Sequence, residues 1–173
     1  IMGMLPALAD AKPSKKQDLK ILEFALTLEY LEAAFYKQAV ANQAFGDSAA
    51  LQTFATVVAR HEAKHVTFLK GALGKKAGKS PKFDFGMAVT DQKTFAATAQ
   101  VLEDTGVSAY LGQVKNVFQG GVLQAAGTIA TVEARHAAWI RFINGETPAP
   151  SDFDKPKSEK SILKAVTGTG FIK

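Results

Sequence analysis

Apolar residues recur at helical spacing along four long stretches of the chain. From about Lys16 to Gln43, Leu22, Leu26, Glu29, Ala33 and Tyr36 trace one stripe, and Ile21, Phe24, Leu28, Leu31 and Phe35 trace a second. A helix that is apolar on two sides needs extra cover, from the C-terminal segment or from another subunit. Leu51, Ala55, Val58, Glu62, His65 and Leu69 form the stripe of a second helix, from about Ala49 to Lys70. A third helix should run from Thr90 or Asp91 to about Phe118, with Ala96, Ala99, Glu103, Gly106 and Tyr110 facing inward. Gly120 and Gly121 are expected to make a tight turn into a fourth helix over 122–143. Ser14 (with Gln17 three residues on) and Asp47 or Ser48 suit helix starts, and Gly71 and Gly145 suit stops.

Between the second and third helices, residues 71–90 hold four glycines, Pro81 and four lysines, so they read as a connection. It is long enough to cross a bundle whose helices of ~20 residues span near 30 Å, and Phe83, Phe85 and Met87 are expected to pin it. After Glu146 come Pro148, Pro150 and Pro156, then one short helix from about Ser158 to Val166. The fold class is therefore all-α: an antiparallel four-helix bundle with a long crossover between helices 2 and 3 and a C-terminal extension. Residues 1–15 read as a flexible N-terminus, 16–145 as the bundle and 146–173 as an extension packed on it. Pro6-Ala-Leu-Ala-Asp-Ala11 is like the end of a signal peptide, with an ordinary flexible terminus as the alternative.

Polar residues interrupt the stripes in a repeated pattern. Glu62-Ala-Lys-His65 and Glu133-Ala-Arg-His136 share the spacing Glu-x-x-His, 71 residues apart. Three residues turn a helix by about 300°, so each Glu and His share one face, and that face is apolar. Buried charge needs compensation, and a metal ion can supply it. The chain has three histidines and eight glutamates, so two such pairs stand out. A second register, of 74 residues, lays Leu28-Glu29 on Leu102-Glu103 and Tyr36 on Tyr110. It places Glu32 on Gly106, which favours Glu29 over Glu32 and Glu23 as the helix-1 carboxylate. The 71-residue register lays His61 on Val132, and His61 reads as a helix-surface histidine.

The candidate metal ligands are thus Glu29, Glu62, His65, Glu103, Glu133 and His136, with Glu32 behind Glu29. Four carboxylates match the charge of two divalent ions. Imidazole with carboxylate suits iron or manganese, with zinc also compatible, better than calcium or magnesium. The order Glu, Glu-x-x-His, crossover, Glu, Glu-x-x-His is that of dinuclear carboxylate sites in ferritin-like bundles. Tyr36 and Tyr110 stand two turns beyond Glu29 and Glu103, placed either to hydrogen-bond ligand carboxylates or to pack. Trp139 reads as core.

Charge and composition narrow the class further. The net charge is +5, with lysines gathered at Lys15–Lys20, Lys75–Lys82 and Lys155–Lys164. These clusters lie in termini and a loop without aromatic interleaving, so no specific nucleic acid is expected. Cysteine is absent, which excludes disulfides and thiolate sites. No apolar run approaches a membrane span.

Leu22-Glu-Phe-Ala-Leu-Thr-Leu-Glu29-Tyr-Leu-Glu32-Ala-Ala-Phe-Tyr36, Phe83-Asp-Phe-Gly86, Leu102-Glu103-Asp-Thr-Gly-Val-Ser-Ala-Tyr110 and Val132-Glu133-Ala-Arg-His136-Ala-Ala-Trp139 resemble the ferritin-like domain family that includes exported bacterial proteins and plant desiccation-related proteins. Phe153-Asp-Lys-Pro156 and Ile162-Leu-Lys-Ala-Val166 are similar to that family's tail. The resemblance implies a four-helix bundle, a dinuclear metal site and an exported location, with the cytoplasm left open. Two histidine-bearing halves look more like bacterioferritin and rubrerythrin than animal ferritin. The tail departs from ferritin's fifth helix, which argues against a storage cage. The expectation is a di-iron or di-manganese oxidoreductase acting on O₂ or peroxide, ferroxidase-like or peroxidase/catalase-like, with a homodimer as the candidate assembly. The alternatives are a stress- or desiccation-protective scaffold with a structural metal site, and an iron store.

Overall fold

The computed structural model describes residues 12–173; the signal-remnant reading of the first eleven lies outside the described residues. The helices are α1 (Lys15–Ala41), α2 (Ala49–Leu73), α3 (Gln92–Gln113), α4 (Gly120–Ile143) and α5 (Glu159–Gly168). Among the described residues there is no strand, only an isolated antiparallel bridge between Phe83 and Ile172. Nor is any described helix long and apolar enough to cross a membrane.

Side-chain oxygens start the helices. Ser14, Ser48, Asp91 and Ser158 each accept a hydrogen bond from the backbone N–H three residues on, which satisfies a donor that has no partner within the helix. Three boundaries differ from the sequence reading. First, α2 runs through Gly71 to Leu73 and stops at Gly74, whose φ of 56° is left-handed. Second, α3 ends at Gln113, five residues early, in a 3₁₀ turn over Val114–Asn116. Third, Gly120 and Gly121 form the first turn of α4 rather than a tight link. Buried Asp18 makes that start workable. Its carboxylate accepts from Phe118 N–H at 2.8 Å and from Gln119 N–H and Nε2 at 3.0 Å, so it tethers the α3–α4 link to the start of α1.

The bundle pairs α1 with α2 and α3 with α4, and closes through α1 against α3 and α2 against α4. At the far end from Asp18, Asn42 Nδ2, just past α1, donates to the carbonyl of Val89, just before α3 (3.1 Å). The pair α1 and α3 is therefore antiparallel, and the crossover must run the length of the bundle. It is held by Phe85, Ala88 and Val89, which are buried; Met87 is 67% exposed, because a 3₁₀ turn over Gly86–Val89 points it outward. The second stripe of α1 is covered from within the chain: Phe24, Leu28, Leu31 and Phe35 share a core with Phe85 and with Ile162 and Val166 of α5. Gly112 lets the tail approach α3, since a Cβ there would stand 1.8 Å from the Lys157 carbonyl oxygen.

Candidate metal centre

Half-way along the bundle four helices each turn a carboxylate inward, and Glu29, Glu62, Glu103 and Glu133 are all fully buried. One ligand atom from each of Glu29, Glu62, His65 and Glu133 lies within 4.8 Å of the others, and the same holds for Glu62, Glu103, Glu133 and His136. The two groups share Glu62 and Glu133. His65 is 12% exposed and His136 is 3% exposed, so the centre has one side nearer solvent.

The contacts inside it are not ordinary hydrogen bonds. His65 Nδ1 stands 3.2 Å from oxygens of Glu29, Glu62 and Glu133, although one ring nitrogen carries at most one hydrogen. His136 Nδ1 stands 3.2 Å from both Glu62 and Glu103. Glu62 turns Oε2 to His65 and Oε1 to His136, one oxygen to each half. Glu62 Oε1, Glu103 Oε2, both Glu133 oxygens and His136 Nδ1 are buried with no hydrogen-bond partner. Donors crowded together and unpaired are costly unless something between them accepts their lone pairs. With ligand bonds of about 2.1 Å, neighbouring donors on one cation stand roughly 3.0–3.4 Å apart, from octahedral to tetrahedral. The 3.2 Å contacts fall in that range, so the residues fit a metal ion.

Residues 17–146 match the ferritin-like domain family. The chain belongs to that family. No curated protein matches it. In this ferritin-like bundle burial and neighbouring groups shift the ionisable side chains of the centre. Burial pulls the imidazole of His65 down, but Glu133, Glu29 and Glu62 outweigh it and push it up to about 12. His136 is raised to about 10 in the same way, by Glu103 and Glu62 against burial. Burial would raise Glu62, yet the imidazoles of His136 and His65 beside it hold it at about 2. Burial raises Glu29 to about 8 and pushes Glu133 and Glu32 well above the usual carboxylate range.

The tyrosines are crossed between halves. Tyr36 of α1 donates its phenol to Glu103 of α3, and Tyr110 of α3 donates to Glu29 of α1 at 2.5 Å. Burial raises both phenols well above their usual range, so they stay protonated donors. Glu32, 4% exposed, stands beside the centre: a Cβ on Gly106 would lie 3.3 Å from Glu32 Oε1 and 3.0 Å from Glu133 Oε2. The glycine makes the room that a second carboxyl from α1 occupies. Glu23 is half-buried and outside both groups.

His61 is not the free surface residue that the repeat suggested. It is half-buried, stacks on His136 with ring centroids 5.2 Å apart, and its Nδ1 meets His136 Nε2 at 2.9 Å. That contact fixes the outer nitrogen of His136 while Nδ1 faces the carboxylates. The signal was its i, i+4 spacing from His65, which puts both rings on one face of α2; the 71-residue register hid it, because only one half has the contact. Trp139 packs edge-on against Phe54, centroids 5.4 Å apart.

Proposed function

We propose that the chain is a dinuclear metal carboxylate protein, with two iron or manganese ions per chain that react with O₂ or peroxide. Glu29 and His65 would hold one ion and Glu103 and His136 the other, with Glu62 and Glu133 available to both. The observation that carries this reading is the convergence of carboxylates from four helices and two histidines in two groups sharing Glu62 and Glu133, with buried, unpaired oxygens and a nitrogen from α2, α3 and α4 among them. Iron or manganese held there would supply one-electron redox chemistry toward an oxygen substrate. The protein's own part is to fix the donors before metal arrives, to hold Glu29 and Glu103 by the phenols of Tyr110 and Tyr36, and to leave one edge near solvent at His65. Zinc would fit the donors but not this chemistry. An exported location accords with the tail and helix-1 sequences quoted above.

The test is anaerobic loading of metal-free protein with two Fe(II) per chain, followed by exposure to O₂, and the same loading with Mn(II) followed by peroxide. Iron oxidation faster than free Fe(II), or peroxide loss faster than with free Mn(II), is expected. The variant Glu103→Ala should lose either effect and keep its helical circular dichroism. If neither form outpaces the free ion while metal still raises the melting temperature, the metal serves only to staple the bundle.

A further inference from the structure

The two halves of the bundle correspond at the centre but not beside it. Around Tyr36, the rings of Phe35, Phe54 and Phe95 close in with centroids 5.1, 5.8 and 6.2 Å away. Phe54 is backed by Trp139. Under the registers of 71 and 74 residues, Tyr110 takes the place of Tyr36. Ala109 then stands for Phe35, Ala125 for Phe54, Ile21 for Phe95 and Phe68 for Trp139. Three phenylalanines are replaced by two alanines and an isoleucine. All five residues on the Tyr110 side line one cavity of about 310 Å³.

The space opens to solvent on one side, and its apolar lining atoms are left without dispersion partners. The volume is at the lower end of small-molecule sites. Its lining is aliphatic and aromatic apart from Tyr110, Gln113, Thr131 and Asp154. The Tyr110 hydroxyl is already committed to Glu29. Asp154 is the one charged residue on the lining; it is exposed, in the tail, so it lies at the mouth. The mouth is rimmed by Phe68, Val114 and Leu123, which are 48%, 49% and 40% exposed. With a carboxylate at the entrance and no cation on the lining, an anionic amphiphile is disfavoured.

We infer that this cavity binds a neutral, hydrocarbon-rich small molecule, seated against Tyr110, whose phenol reaches Glu29 of the metal centre. Binding rests on the cavity alone; a role for that molecule as a reactant beside the centre rests on the proposed function. The duplicated half that keeps its phenylalanines is the closed counterpart, and it supplies the test. Metal-loaded full chain is titrated with N-phenyl-1-naphthylamine, followed by its fluorescence, and the probe is displaced with 1-decanol. One site per chain is expected. Ala125→Phe, which installs the residue found at the matching position of the other half, should weaken binding about tenfold or more, and Ala109→Phe should do the same. Should either variant misfold by circular dichroism, a diazirine derivative of 1-decanol on the unaltered protein decides, with label expected on peptides containing 21–28 and 122–134. Binding unchanged in both folded variants, or label confined to exposed Phe142 and Phe153, overturns the inference. Metal content is measured on the same samples. Probe binding without any metal uptake would sink the metal reading and leave the cavity site standing.

Discussion

Glu62 and Glu133 differ in environment from Glu29 and Glu103, because each faces both histidines rather than one. Truncation at a shared position should therefore empty both halves, and at an unshared position mainly one. Within α1, Glu29→Gln is expected to lower metal content more than Glu32→Gln, read by elemental analysis after dialysis. The opposite ranking would make Glu32 the ligand. Gly106→Ala gives a related outcome. Its methyl would press on Glu133 and Glu32, so metal occupancy should fall, although alanine favours the helix by about 1 kcal/mol. His61→Ala frees the outer nitrogen of His136, and it should weaken metal retention on that side by roughly 10–100-fold, measured by competition with a chelator. Unaltered retention would reduce His61 to a packing residue.

Among the elements, the α3–α4 link depends on a residue a hundred positions away. Asp18 is 1% exposed and accepts three hydrogen bonds from Phe118 and Gln119. Asp18→Ala leaves those donors unpaired at the start of α4, and should cost about 2–3 kcal/mol in urea unfolding. A change under 1 kcal/mol would mean that water replaces the carboxylate. The sequence pattern placed the starts of α1, α2 and α3 close to where they stand, since Ser14, Ser48 and Asp91 act locally. It misplaced the end of α3 and the start of α4, because their boundary is set by Asp18, which no local signal reveals. Met87 misled for a similar reason: apolar composition says a residue can be buried, and the turn decides whether it is.

At the scale of the whole molecule, metal uptake at the centre is expected to be coupled to protons. His136, raised to about 10, and Glu29, raised to about 8, hold protons near neutrality in the metal-free protein. Ligation must displace them, so metal affinity should rise with pH between about 6 and 8 and fall on acidification. Calorimetry in two buffers of different ionisation enthalpy would show the proton release; equal heats would contradict it. The C-terminal segment matters for stability as a whole. Ile162 is fully buried against the α1 core, and Ile162→Ala should lower unfolding free energy by about 2–5 kcal/mol.

The sequence alone determined the periodicity, the all-α class, the crossover and the six Glu and His residues that the fold brings together, because helical spacing and the internal repeat are properties of order along the chain. The ferritin-like resemblance read from those motifs agrees with the family match over residues 17–146. Which oxygen faces which nitrogen, the exchange of Tyr36 and Tyr110 between halves and the contact from His61 to His136 were decided only by tertiary structure. The repeat predicts equivalence, whereas contacts form across antiparallel neighbours, where α1 meets α3 and α2 meets α4. The cavity beside Tyr110 belongs to both levels. The replacement of Phe35 by Ala109 and of Phe54 by Ala125 is written in the sequence; only packing shows that nothing else in the described chain fills the space those rings would occupy.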